Sequence, residues 1–133
     1  PLPLLIGGGG EKRTLRTVAR FATEWNSWGR PEELRHKISV LERHCEEVGR
    51  DPAEIQKSAV GVLMFTETEE KAAELQENLG YQSGLVGTPV QLRQVVAEYA
   101  AVGVDELLVP DFAFSAGKRN DNLDRFRAEV VDY

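Results

Sequence analysis

Residues 4–14, which read LLIGGGGEKRT, decide the fold of this chain. The apolar run of residues 4–6 meets four consecutive glycines, Gly7 to Gly10. Apolar residues then recur at Leu15, Val18 and Ala22, which is the spacing of one helix face. The stretch therefore predicts a strand, a glycine turn and a helix.

A glycine turn that opens a helix suits an anion, because its backbone N–H groups are accessible and the helix N-terminus attracts negative charge. A phosphate held at Gly8, Gly9 and Gly10 is the first hypothesis. A merely flexible turn is the competing interpretation, and composition does not separate the two. Neither the Walker pattern nor the dinucleotide fingerprint fits, since Lys12 and Arg13 stand where the fingerprint needs its last glycine.

Length and charge narrow the function classes. The chain has 133 residues and a net charge of −6, which suits one domain and argues against a broad grip on nucleic acid. No apolar run approaches the roughly 20 residues of a membrane span. A single cysteine, Cys45, excludes an internal disulfide, so we expect a reducing compartment and place the protein in the cytoplasm.

Because the chain opens with Pro1 and enters an apolar strand at once, we expect it to be a piece of a longer one.

Further strands and helices alternate along the chain. Strands are predicted at residues 25–27, 58–65 and 106–110, and residues 80–87 and 111–120 are predicted as loops. Helices are predicted from residue 31 to 48, from a cap at Thr66 to about residue 79, and from a cap at Thr88 to Gly103. Leu123, Phe126 and Val130 mark a last helix.

This alternation predicts parallel strands joined by right-handed crossovers, in one unit spanning residues 1–133. Two α/β architectures fit. A doubly wound sheet carries helices on both faces, whereas a (β/α)8 barrel carries them all outside. Four strand–helix units are half of such a barrel, and in either architecture the active site belongs at the carboxyl ends of the strands.

Five segments together resemble the luciferase-like monooxygenase superfamily, most closely its branch that uses the deazaflavin coenzyme F-420. They are residues 3–15, 19–26, 41–52, 87–89 and 103–107, and they extend over essentially the whole chain. The resemblance implies the C-terminal half of a (β/α)8 TIM barrel, strands five to eight. It implies an F-420-dependent oxidoreductase, with FMN as the alternative cofactor.

The resemblance also implies which residues meet the cofactor. Gly8, Gly9 and Gly10, together with Gly87 and Thr88, would contact its phosphate-bearing chain. No catalytic residue is assigned, because the family's substrate residues lie mostly in the first half of the barrel. This 133-residue chain on its own is therefore expected to be inactive. A non-catalytic half-barrel and a flavodoxin-like anion-binding domain remain alternatives.

For the other candidate site residues, ordinary structural roles are the favoured interpretation. His36 and His44 lie eight residues apart on one helix, so no shared metal is expected and both are predicted at the surface. Asp111 is interpreted as a turn residue rather than a carboxylate that orients substrate. Small-molecule ligands are expected as partners, not nucleic acid or membrane. An open half-barrel leaves strand edges unpaired, so we expect a homo-oligomer or a missing N-terminal half.

Overall fold

A computed structural model describes residues 1–114 and 117–133. The first half of the chain contains two strand–helix units. Their bounds are β1 Leu5–Gly7, α1 Thr14–Phe21, β2 Glu24–Trp28 and α2 Pro31–Val48.

In the described part of the second half there are four short strands and three helices. Their bounds are β3 Gln56–Val60, β4 Leu63–Phe65, α3 Glu69–Leu79, β5 Leu85–Gly87, α4 Pro89–Ala101, β6 Glu106–Leu108 and α5 Arg119–Phe126. Helix α5 continues into a π-helical turn, Arg127–Val131. No described helix is both long and apolar enough to cross a membrane.

Four of the strands form one parallel sheet in the order β1-β2-β3-β6. Strands β4 and β5 pair with each other in a separate parallel sheet of two strands. All crossovers in the four-stranded sheet run in one direction along the sheet, and the carboxyl ends of its strands share one rim. The loops that follow β1, β2, β3 and β6 therefore meet at that rim.

The two faces of the four-stranded sheet differ in what covers them. Trp25 and Ala59 are buried in the hydrophobic core on the face that the helices cover. On the opposite face Leu5 and Leu108 are 48% and 41% exposed, and the Asn26 amide donates to the Ser58 hydroxyl at 2.9 Å. Helices on one face only are typical of a barrel rather than of a doubly wound sheet. The prediction of half a (β/α)8 barrel is confirmed.

Helix α2 illustrates why these segments are helical. Pro31 occupies its first turn with two glutamates, which suit the positive end of the helix dipole. Gly49 ends the helix with φ 71°, a left-handed conformation that glycine adopts without strain. Cys45 is fully buried on its apolar stripe. Arg50, the residue after Gly49, donates to the Ala19 carbonyl at 3.2 Å and so ties the end of α2 to α1.

Residues 58–65 were predicted as one buried strand, and this is wrong. The chain leaves the first sheet after Val60 and resumes as β4 in the second. Gly61 lies at this change of direction, and a Cβ there would lie 3.2 Å from the Leu85 backbone nitrogen. The close approach of two backbones thus favours glycine at this position.

Two other boundaries differ from prediction. Residues 80–87 contain strand β5 instead of being loop throughout. Helix α3 is capped by Thr68, whose hydroxyl accepts from the Lys71 N–H at 3.1 Å, and not by Thr66. The Thr66 N–H donates to the Gly87 carbonyl at 3.0 Å, which keeps Thr66 in an extended segment beside β5.

Candidate cofactor-phosphate site

The glycine turn lies between β1 and α1, at the rim where the four parallel strands end. Gly8 begins it with φ 121°, a conformation that other residues rarely adopt. Its N–H donates to the Asn26 carbonyl at 2.9 Å, and its carbonyl accepts from the Trp25 indole at 2.7 Å. Residues of β2 therefore hold both the N–H and the carbonyl of the first residue of the turn.

A lysine from α2 lies against the middle of the turn. The Lys37 ammonium donates to the Gly9 carbonyl at 2.7 Å. A Cβ on Gly9 would approach the Lys37 side chain and the Ser27 hydroxyl, each at 3.1 Å. Glycine at this position therefore leaves room for a cation beside the turn.

Lys37 was not predicted as a site residue. It directly precedes Ile38, which belongs to the buried stripe of α2. That position next to the apolar stripe is the signal that could have placed it facing the turn.

The turn retains two backbone donors. The Gly10 carbonyl accepts from the Leu15 N–H at 2.9 Å, so the carbonyls of Gly8, Gly9 and Gly10 are all hydrogen-bonded. Within the described residues, however, the N–H groups of Gly9 and Gly10 have no acceptor. Two free N–H groups, a lysine ammonium and the start of α1 give this turn the donor set of an anion site.

The second predicted segment, Gly87 and Thr88, has a different geometry. The Thr88 hydroxyl accepts from the Gln91 N–H at 3.3 Å, and the Gln91 amide oxygen accepts from the Thr88 N–H at 3.0 Å. This reciprocal capping box occupies the donors that the hypothesis assigned to phosphate. Gly87 ends β5 in the two-stranded sheet, whereas Gly8 to Gly10 follow β1 at an edge of the other sheet.

Two aromatic rings stand near the rim. Trp28, the last residue of β2, contacts Tyr81 edge-to-face, with ring centroids 6.1 Å apart. Tyr81 is 58% exposed, so the pair presents apolar surface to solvent. An exposed aromatic pair of this kind can pack against a flat ring.

The Asp111 side chain pairs with the first residue of α5. Arg119 forms a salt bridge with Asp111 at 2.9 Å, and both side chains are largely exposed. This pairing agrees with the interpretation of Asp111 as a structural residue of the loop. It also occupies an arginine that could otherwise have contacted a phosphate.

The two histidines hold the loop that follows the glycines. The His36 Nε2 lies 2.9 Å from the Glu11 carboxylate, and the His44 Nε2 lies 2.7 Å from the Glu11 carbonyl. The side chain of His44 is 17% exposed, so it is half-buried rather than fully solvated at the predicted surface. No cluster of metal-ligating side chains occurs among the described residues.

Solved structures share this fold across the whole chain. An F-420-dependent secondary alcohol dehydrogenase, in complex with an F-420–acetone adduct, superposes with a TM-score of 0.72 at 15% identity, over 98% of this chain and 48% of that one. The coenzyme F-420-dependent tetrahydromethanopterin reductase of Methanopyrus kandleri matches at 0.66 and 14% identity, over 98% and 50% of the two chains. A riboflavin lyase with modified FMN matches at 0.69 and 14% identity, over 97% and 42%.

No protein-family profile and no curated protein sequence matches the chain. The chain spans about half the length of the solved structures that it matches. Its fold is therefore that of half a barrel of the kind found in F-420-dependent reductases and luciferase-like monooxygenases.

Proposed function

We propose that this chain is the cofactor-binding half of an oxidoreductase barrel that uses coenzyme F-420 or FMN. The glycine turn would hold the cofactor's phosphate through the N–H groups of Gly9 and Gly10. The observation that carries the proposal is the pair of unoccupied N–H groups beside the Lys37 ammonium. The solved structures of the same fold include proteins with F-420 and with modified FMN.

The chain's own part in the reaction would be to bind and orient the cofactor. When bound, the cofactor supplies the hydride chemistry. Trp28, at the carboxyl end of β2, and its partner Tyr81 would offer apolar surface at the same rim of the sheet. Gly87 and Thr88 stay in the proposal only as a second contact, because their capping box must open before Thr88 can donate to a phosphate.

The open side of the half-barrel also implies a partner. The helix-free face of the sheet and the free edges of β1 and β6 would be covered by a second half-barrel, either a second copy or a separate N-terminal half. A single buried cysteine is compatible with the cytoplasm as the place where this assembly works.

Titration of the chain with F-420 and with FMN tests the proposal. Gly9→Val should weaken binding at least about tenfold, because a side chain there displaces Lys37 and blocks backbone approach. Lys37→Gln should weaken binding too, and Lys37→Arg should restore part of it, because the charge returns.

Gly49→Ala serves as the matched control. Gly49 lies at the end of α2 with a positive φ, so its variant is strained but has no neighbour within 4 Å of the new Cβ. It should lose stability and keep its cofactor affinity. Equal affinity in Gly9→Val, Lys37→Gln and the unchanged chain would remove the glycine turn from the site. No binding of either cofactor would leave a non-catalytic half-barrel as the conclusion.

A further inference from the structure

A polar cavity lies away from the glycine turn. It has a volume of about 200 Å³ and is enclosed by α3, β5, α4 and the residue that opens α2. Its polar side chains are those of Arg30, Gln76, Ser83, Gln91, Gln94 and Glu98. None of the residues of the glycine turn lines it.

Arg30 is the unusual member of this lining. Its Nε is buried and has no hydrogen-bond partner. Glu32 and Glu33 follow on α2 and Glu98 lines the same cavity, yet none of these carboxylates forms an ion pair with Arg30. Buried donors in folded proteins nearly always have an acceptor. Arg30 as a whole is only partly buried and lines the cavity, so its guanidinium can meet an acceptor supplied from outside the chain.

The neighbouring amides add donors on the same side. The Gln91 amide oxygen is occupied by the Thr88 N–H, which leaves its NH2 group as the free end. Among the described residues, the Gln94 side chain has no hydrogen bond. The Gln76 amide, in contrast, donates to the Val86 carbonyl at 2.9 Å, which holds that wall of the cavity in place.

We propose that this cavity binds the carboxylate group of a small organic acid. The planar guanidinium of Arg30 suits a carboxylate, which can accept two of its N–H groups in parallel. Glu98 stands at the exposed edge of the cavity. Its negative charge disfavours a dianion more than a monoanion, so a carboxylate is favoured over phosphate.

Acetate and inorganic phosphate are the probes for a nuclear magnetic resonance titration of the folded chain. The backbone N–H groups of Gly84 and Gln94 and the Arg30 Nε–H serve as reporters. Acetate, added to about 50 mM because ligands of this size bind weakly, should shift all three reporters in a saturable way. Phosphate at pH 8 should bind at least about fivefold more weakly.

Two arginine variants separate the site from general charge effects. Arg30→Gln should abolish the acetate response of Gly84 and Gln94. Arg35→Gln removes the same charge from an exposed position on α2 and should leave the response unchanged. Arg30→Lys keeps the charge but loses the planar pair of donors, and should retain only part of the affinity.

Glu98→Gln tests the rival that Glu98 itself swings onto Arg30 in solution. The proposal expects this variant to bind acetate and phosphate more tightly, with the Arg30 Nε–H unchanged before ligand is added. A shift of that signal on mutation alone, without any acetate response in either protein, would overturn the proposal. So would acetate binding that is equal in Arg30→Gln, or phosphate binding that is tighter than acetate.

Discussion

Tyr99 connects two distant parts of the molecule through a single hydroxyl. The side chain is 1% exposed, and its hydroxyl donates to the Gly29 carbonyl at 2.7 Å across a separation of 70 residues. Burial raises the pKa of the Tyr99 phenol, since the phenolate would lose its hydration. The folded chain therefore keeps this proton at a pH where the unfolded chain releases it.

That difference predicts a loss of stability in alkali. Above a pH of about 10, the pKa of an exposed tyrosine, the unfolded state binds fewer protons than the folded state, so the free energy of unfolding falls as pH rises. Tyr99→Phe should cost about 1–2 kcal/mol at pH 8, because the Gly29 carbonyl loses its donor. Urea unfolding at pH 8 and pH 11 measures both effects. The variant should lose less stability between the two pH values, and an equal loss would contradict the assignment to Tyr99.

Gly84 offers a second test of the same contact. A Cβ at Gly84 would collide with the Tyr99 hydroxyl but would lie 3.4 Å from the ring carbon that bears it. Gly84→Ala should therefore destabilise the chain by about 1–3 kcal/mol, as overpacking does. In a Tyr99→Phe background the same change should be nearly neutral. A double-mutant cycle from urea unfolding gives the coupling, and additive effects would show that the hydroxyl is not the obstacle.

Only part of the role of Tyr99 could be predicted from the sequence. Its place on the buried side of α4 follows from helical spacing, because it lies seven residues after the buried Leu92. Its hydroxyl partner depends on how α4 packs beside the turn after β2, and no local pattern specifies that. For Lys37 a local pattern, its place beside the apolar stripe of α2, indicates which way it faces, but its contact with Gly9 joins two elements 28 residues apart and no local pattern specifies that partner.

The capping box of α4 predicts an effect on a whole helix. Thr88→Ala should lower the free energy of unfolding by about 1 kcal/mol, because the first turn loses its side-chain acceptor. Thr88→Ser keeps the hydroxyl and is the matched control. Urea unfolding of the two variants decides the question, and equal losses in both would mean that the cap contributes nothing measurable.

Helices were easier to predict than short strands in this chain. Thr88, Pro89 and Gln91 together mark the start of α4, and that start is confirmed. Strand β5 has three residues, too few to show any periodicity, and its existence depends on pairing with β4. The division of residues 58–65 into two strands had one local sign in the sequence. Gly61 stands inside an apolar run, which is typical of a bend or of close backbone approach.

The uncovered face of the sheet predicts association of the whole molecule. A half-barrel with free edges at β1 and β6 should form dimers or larger assemblies, because unpaired strands and exposed leucines favour contact with a second chain. Light scattering across a dilution series measures this. Leu108→Arg should shift the distribution toward monomer.

Val48→Arg is the control for that experiment. Leu108 and Val48 are each 41% exposed, but Val48 lies at the end of α2, on the helical side of the sheet. Its variant should associate as the unchanged chain does. A compact monomer at micromolar concentration, in every variant, would contradict the prediction of an open half-barrel that needs a partner.

The strand order β1-β2-β3-β6 also fixes when each part of the sheet can form. Contacts between β1 and β2 bridge 19 residues, those between β2 and β3 bridge 32, and those from β3 to the segment entering β6 bridge 48. Closing a longer loop costs more entropy, so distant pairings form later. On the ribosome, the first three strands emerge and can pair while the β6 segment is still unmade. Until β6 arrives, β3 is an open edge, and this nascent intermediate is the form of the protein most exposed to mispairing with a neighbouring chain.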